Sequence, residues 1–442
     1  MSESLFSSHS LAECTTVVKE KGEQDAIPYV EIGDIDLDTK TYRLGLKPAV
    51  KGCRKARRND ILVSKVRPTR GAIAIVKEDQ IEVSSAFSIL RARENINPRF
   101  LWHSLVWNAE FHSHLGETCT GTMYPTTSDE DIAAYSIPLP PIHSQDQIAE
   151  RLDLIAANFS NVRSHLETIP ATLKRFRMSV LAAACSGRLT EDWRKQHSSE
   201  NATTLLATIK AARLSASSRD NDRRKIIEFF EAFPQKESDG SSIPLSWLDC
   251  FVGSVGHVCN GSTPSRKEPS YWGGGIPWVS SGEVQNCYVD STRESITQAG
   301  YDNSSVRLLP KGTVLIAMIG EGKTRGQSAI LGIEACINQN MAAIIIDHGL
   351  IEPTYLWYWF QSQYDSNREV GSGSGPQALN CQRVRELPLN LPPQNEQVEI
   401  VRRIEQMFQQ ADVIEARYRK AKTFTDKLMP SVLAKAFRGE LA

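Results

Sequence analysis

Apolar residues recur from position 148 to 180 in steps that alternate between four and three: Ile148, Leu152, Ile155, Phe159, Val162, Leu166, Ile169, Leu173, Phe176 and Val180. A 3.5-residue period held for so long predicts a coiled-coil helix. A second run repeats the spacing with Ile400, Ile404, Met407, Ala411, Ile414, Tyr418, Ala421, Thr425, Leu428 and Val432, a weaker seam with smaller or more polar members. The likeness extends beyond the seam. Segments 139–189 and 391–441 align without a gap and share 13 of 51 residues, including Leu139/Leu391, Gln145/Gln397, Arg151/Arg403 and the closing Gly187/Gly439 and Leu189/Leu441. Ordinary composition would give roughly three. Pro-Pro before each run and Gly after it are the punctuation of a helix start and stop. Pro170 and Pro430 fall inside the helices at non-equivalent places and predict kinks.

The segments in front of each helix have a different texture. Short β-branched runs such as Ile61-Leu62-Val63, Ala72-Ile73-Ala74-Ile75-Val76 and Ala343-Ile344-Ile345-Ile346 are broken by Gly, Pro and Asn, which predicts strand-rich domains with short helices near 98–114 and 353–364. They echo each other faintly. Ile27-Pro28-Tyr29-Val30 parallels Ile276-Pro277-Trp278-Val279, and Phe100-Leu101-Trp102 parallels Tyr355-Leu356-Trp357. The expected fold is therefore α+β. Two mixed, strand-rich domains (1–142 and 243–390) are separated by two long antiparallel coiled-coil helices (143–189 and 391–442) with pseudo-two-fold symmetry. Residues 190–242 read as a polar connector with helices near 203–214 and 223–233, and 371–375 as a flexible Gly-Ser loop.

Charge sharpens the picture. The 442-residue chain carries 51 Lys and Arg against 52 Asp and Glu, yet 47–70 holds nine bases and one acid. Lys47, Lys51, Arg54, Lys55, Arg57, Arg58, Lys65, Arg67 and Arg70 could displace phosphate counterions; the alternative is a solvated charged face. In the second domain, Ser262, Thr263, Ser265, Arg266, Lys267, Ser280, Ser281 and Glu283 offer groups that bond phosphates or read base edges. Asn338, Gln339 and Asn340 offer the planar amides that suit adenine.

Signals for other chemistry are weak. Residues 317–324 fit a relaxed P-loop, but the two glycines after Lys323 suit a turn and a strand better than the helix a phosphate cradle needs. Lys323 and Arg325, on a turn, are then candidate phosphate contacts, with Thr324 beside them as a candidate DNA-binding residue. No H-E-x-x-H, G-x-S-x-G or C-x-x-C occurs, and the nine cysteines are widely spaced, as in a reduced cytosolic protein. No apolar stretch reaches the length of a membrane helix, and the N-terminus has no secretory pattern. The expectation is a cytoplasmic, non-catalytic DNA-binding chain without metal or cofactor of its own. A P-loop ATPase and a protein-only scaffold are the alternatives from other classes.

Particular segments also carry a resemblance. Gly261-Ser262-Thr263-Pro264-Ser265 followed by Tyr271-Trp272-Gly273-Gly274-Gly275-Ile276-Pro277-Trp278-Val279 is similar to the opening of a target-recognition domain in type I restriction–modification specificity subunits, the HsdS family. Leu391-Pro392-Pro393-Gln394-Asn395-Glu396-Gln397 and Ala436-Phe437-Arg438-Gly439-Glu440-Leu441 resemble that family's distal helix. The 322–327 and 337–340 segments also look like family sequence. The first domain lacks the Gly-Thr-Pro and Tyr-Trp-Gly-Gly opening. The resemblance implies a specificity subunit that recognises a bipartite, asymmetric target with a fixed gap. It would assemble with two modification subunits, which use S-adenosylmethionine, and two restriction subunits, which use ATP and Mg. A solitary DNA-binding regulator of the same fold is the alternative within DNA binding.

Overall fold

The computed structural model describes residues 6–23, 28–45, 47–121, 123–197, 199–285, 287–320, 323–346, 348–369, 379–438 and 440. Ile27, Glu321, Gly322, the 371–375 run, Gly439 and Leu441, all used in the sequence reading, lie outside the described residues. The chain divides into two units, 1–170 with 415–442, and 171–414.

In the first unit, turn residues cut the apolar runs into short strands: β1 (Ser8–Ser10), β2 (Thr15–Val17), β3 (Tyr29–Val30), β4 (Arg54–Arg57), β5 (Ile61–Ser64), β6 (Ile73–Ile75), β7 (Gln80–Val83) and β8 (Phe87–Ala92). They build a sheet ordered β2-β8-β5-β6 and another ordered β3-β7-β4. Helices α1 (Pro98–Val106) and α2 (Ala109–Glu117) follow, each started by an asparagine side chain (Asn97, Asn108) that accepts two first-turn N–H groups. Then come α3 (Asp129–Ala134), β9 (Ser136–Pro138), which pairs back onto β1, and α4 (Ile142–Cys185).

The second unit opens with α5 (Glu191–Gln196), α6 (Ala202–Ala216) and α7 (Asp220–Ala232). Its strands are β10 (Leu248–Phe251), β11 (His257–Asn260), β12 (Trp272–Val279), β13 (Cys287–Val289), β14 (Glu294–Ile296), β15 (Val314–Ala317), β16 (Ser328–Leu331), β17 (Cys336–Ile337) and β18 (Met341–Ile345). Helices α8 (Pro353–Ser362) and α9 (Tyr364–Glu369), strand β19 (Pro388–Leu391) and helix α10 (Gln394–Phe437) complete the chain. The larger sheets are β11-β18-β15-β16-β13 and β14-β12-β17, and β10 pairs antiparallel with β19 and with a short strand at Lys236–Glu237. The first repeats the order β2-β8-β5-β6 and adds β13 at the edge. The parallel pairing of β3 on β7 recurs as β12 on β17, with Val30 opposite Val83 and Val279 opposite Ile337. The duplication is thus structural as well as sequential.

Residues 190–242 do more than connect. Leu205, Leu206 and Ile209 of α6 and Phe230 of α7 enter the core of the second unit with Trp247, Ile316, Ile344 and Leu356. The start of α10 is tied there by Glu396, which is fully buried. Its carboxylate accepts from the Thr190 hydroxyl (2.7 Å), the Arg194 guanidinium and the Trp247 indole (2.9 Å), so this charge is saturated with donors.

Helices α4 and α10 have 44 residues each and run on through Pro170 and Pro430. In the first unit, Ile148, Ala149 and Leu152 from the start of α4 share a core with Leu433 and Ala436 from the end of α10. In the second, Val180, Leu181 and Ala184 share a core with Ile400 and Ile404, and Arg177 donates to Asp412 at 2.8 Å. Within each unit the two helices therefore pair antiparallel. Of the expected seam, Ile148, Leu152, Phe159, Leu173, Ile400 and Ile404 are buried, and Ile155, Leu166, Ile169, Met407, Tyr418 and Leu428 are half-buried. Val162, Phe176 and Ile414 depart from it and are 51%, 38% and 49% exposed. A straight α-helix drifts about 20° per heptad against a 3.5-residue repeat. Near the end of α10 the buried set keeps Thr425 and then shifts one position past Leu428 and Val432, to Met429, Leu433 and Ala436.

The shared glutamine explains how each helix is fixed to its strand-rich domain. Gln145 is 1% exposed; its amide donates to the Pro140 carbonyl (2.8 Å), and its oxygen accepts from the N–H of Asn97, the cap of α1 (2.8 Å). Gln397 is 0% exposed and repeats both bonds, donating to Pro392 (3.0 Å) and accepting from Glu352, the cap of α8 (2.9 Å).

Candidate nucleic-acid interface

The duplicated topology places one hairpin at the same position in each unit. β5 and β6 pair antiparallel and are joined by residues 65–72; β15 and β16 pair antiparallel and are joined by 318–327. Both connections carry bases: Lys65, Arg67 and Arg70 in the first, Lys323 and Arg325 in the second. The residues after Lys323 thus enter strand β16 and supply no helix for a P-loop. Gly326 donates to the Ala317 carbonyl (2.9 Å) and Gln327 to Thr324 (3.0 Å), closing a turn.

In the first unit the 65–72 connection contains a 3-10 turn, Pro68–Arg70. Arg67 leads into it in the left-handed region (φ 47°), unusual for an arginine. Its guanidinium lies 5.0 Å from the ring centre of Tyr124. The loop holding Tyr124 is fastened to the hairpin: Arg67 donates its N–H to Pro125 (2.8 Å), and Thr127 donates to Lys65 (2.9 Å). In the second unit the analogous connection leans on α9. Tyr364 donates to the Lys323 carbonyl (2.6 Å), and Arg325 and Arg368 bond each other's carbonyls.

The basic run of 47–70 is largely neutralised by acids distant in sequence. Lys47 pairs with Glu31, Arg54 and Lys65 with Asp129, Lys55 with Glu23, Arg57 with Glu20 and Arg58 with Asp79. Lys55 is also buried, at 8% exposure. Lys51, Arg67 and Arg70 make no ion pair among the described residues, so they deliver the uncompensated charge. Strand β4 explains the difference: it lies between β7 and the 20–23 segment, which supplies Glu20 and Glu23.

In the second unit the motif glycine has a steric reason. A Cβ on Gly261 would lie 2.0 Å from the Ile337 carbonyl oxygen. The following residues are pinned by two indoles: Trp278 donates to Ser262 (3.1 Å) and Trp272 to Ser265 (3.2 Å). Arg266 stacks on Trp272, 3.7 Å from the ring centre, and pairs with Glu294, while Lys267 is exposed. Thr263 bonds the side chain of exposed Gln339. Other members of the expected set hold the backbone. Glu283 accepts from the Ser280 N–H and hydroxyl and from Arg293 N–H. Asn338 is buried and its oxygen caps the Asn340 N–H. Ser281 begins the 3-10 turn that this arrangement stabilises.

Two residues absent from the sequence reading stand out. Met123 is 78% exposed and Tyr124 65% exposed, side by side on the loop between α2 and α3. The signal was available: two large apolar residues bracketed by Gly121 and Pro125 mark a turn that cannot bury them. Among the described residues no cluster of His, Cys, Asp and Glu is placed to hold a metal ion.

Two related but non-identical strand-rich domains, each presenting a basic hairpin connection and each latched to a long helix, form a duplicated architecture of the DNA-recognition class. The chain belongs to the type I restriction modification DNA specificity domain family, whose model matches residues 9–170 and 244–423. It is 28% identical over 365 residues to the type I restriction enzyme EcoBI specificity subunit of Escherichia coli, a match covering 79% of this chain and 66% of that protein. It is 25% identical over 432 residues to the StySPI specificity subunit of Salmonella potsdam, covering 95% and 83%. The fold is similar to that of the HsdS subunit from Thermoanaerobacter tengcongensis, with a TM-score of 0.57, 20% identity and 98% and 97% of the two chains covered. A chain from a study of complex assembly and conformational transition of the type I R-M system gives a TM-score of 0.70 at 20% identity, covering 98% of each chain.

Proposed function

We propose that the chain is the specificity subunit of a type I restriction–modification complex and reads a bipartite, asymmetric DNA target with a fixed gap. The observation that carries this reading is the same sheet order and the same basic hairpin connection, present twice with different side chains. One recognition scaffold with two chemistries reads two unlike half-sites. Residues 1–142 and 243–390 are the two reading domains, and the 143–189 and 391–442 helices set the gap, as dimer geometry sets half-site spacing in other DNA-binding proteins. Each domain positions itself through phosphates and discriminates through a few base edges, each good bidentate pair contributing about 1–3 kcal/mol.

The chain itself carries no catalytic role. Methyl transfer from S-adenosylmethionine belongs to two modification subunits, and ATP- and Mg-dependent translocation and cleavage to two restriction subunits, all in the cytoplasm. The helices and 190–242 offer the docking surface for these partners. The test is a chimera in which 1–142 is replaced by the corresponding residues of another family member, expressed with its modification subunit. Genome-wide adenine methylation should then change in one half of the target and keep the other half. A change in both halves, or in neither, refutes modular reading.

A further inference from the structure

We propose that Tyr124, backed by Arg67 and flanked by Met123, is a stacking wedge that inserts against a base of the half-site read by the first domain. The proposal rests on the DNA-reading role given above and adds a contact that the basic-run and motif residues do not include. Large apolar side chains on a soluble surface are normally scattered singly, whereas Met123 and Tyr124 are adjacent and among the most exposed of their kind.

Their support is stiff. The loop is closed by a reciprocal backbone pair, Thr120 N–H to Thr126 carbonyl and Thr126 N–H to Thr120 carbonyl, both 2.9 Å. It is held to the hairpin connection through Pro125 and Thr127. The ring is thus presented in place before any ligand arrives, which lowers the ordering cost of binding.

The charge around the pair selects the occupant. Arg67, 5.0 Å from the Tyr124 ring centre, and Arg70, in the same 3-10 turn, carry no carboxylate partner among the described residues. A ring with cations behind it suits a nucleobase flanked by phosphates. Base–aromatic stacking is tolerant of base identity, and apolar wedges between base steps bend DNA at flexible pyrimidine–purine steps.

The experiment uses the full 442-residue chain and duplexes containing the methylated motif of its genome, with 2-aminopurine placed at successive positions. The native chain should raise fluorescence at a step within the first-domain half-site. Tyr124→Ala should abolish that rise and weaken binding about 5- to 150-fold, the loss of one stacked base. Tyr124→Phe should preserve both, because the ring and not the hydroxyl does the stacking. The circular dichroism melt should be the same for all three, since the side chain is exposed. Unchanged affinity and fluorescence in Tyr124→Ala would overturn the proposal. So would a variant that binds DNA normally but captures its modification subunit poorly, which would assign the pair to a protein contact. A native chain that binds no duplex would instead overturn the DNA-reading role itself.

Discussion

Replacing Lys51, Arg67 and Arg70 together by glutamine should flatten the salt dependence of DNA binding. The matched replacement of Arg54, Arg57 and Arg58 should change it far less. Both triples lie in the same stretch, and each takes the whole chain from a formal charge of −1 to −4, so long-range repulsion is equal in both. The difference is local. Arg54, Arg57 and Arg58 sit beside Asp129, Glu20 and Asp79, and a cation that brings its own carboxylate delivers little net charge to a phosphate. Lys51, Arg67 and Arg70 bring none among the described residues. Each phosphate contact contributes about 0.9 to the log–log slope, so the first triple should remove up to about 2.7. Between 50 and 200 mM salt, one contact corresponds to a roughly 3.5-fold change in affinity and three to about 40-fold. Fluorescence anisotropy of a labelled random-sequence duplex, titrated with the full chain across that range, measures the slope without knowledge of the target. A slope lowered as much by the Arg54, Arg57 and Arg58 triple as by the other would show that ion pairing does not govern which bases reach DNA.

Gln397→Ala should orphan the Glu352 N–H and the Pro392 carbonyl in a dry setting and cost about 2–6 kcal/mol, at ~1–3 for each buried group left unpaired. Hydrogen exchange should localise the loosening to 171–414, while Gln145→Ala should loosen 1–170; a loss below about 0.5 kcal/mol in urea unfolding would contradict the latch. Acid should act on the first turns of α10. The hydrogen bond from Arg402, opposed by burial and reinforced by Arg403, holds the Glu399 carboxyl down to about 2, against an ordinary value of 4.5. A depressed folded pKa gives stability that is complete above 4.5 and is lost as pH falls toward 2. Helicity followed by circular dichroism from pH 5 to pH 2 should therefore decline more steeply in the native chain than in Glu399→Gln, and superimposable curves would exclude the pair.

The long helices and the duplication were legible because a sustained period and a gapless repeat are local patterns. The pairing of Tyr29-Val30 with Trp278-Val279 was legible for the same reason, and these pairs occupy equivalent strands. What the sequence hid was tertiary. Nothing near 47–70 announces that Glu20, Glu23, Glu31, Asp79 and Asp129 fold back onto it. Glu283 and Asn338 have the right chemistry for base edges, yet a capping box and a turn employ them. A strict heptad template also placed Val162, Phe176 and Ile414 in the seam, where the structure leaves them exposed. The role of 190–242 was hidden too, because the segment as a whole reads as polar and charged while Ala202, Leu205, Leu206, Ile209 and Phe230 enter the core.

Gln145 and Gln397 each grip peptide groups, the Asn97 and Glu352 amides and the Pro140 and Pro392 carbonyls. Such a joint is indifferent to the side chains displayed beyond it. A domain with a different outer face could be held by the same fastening, because the bonds that make it ask only for a backbone N–H and a carbonyl in the right place.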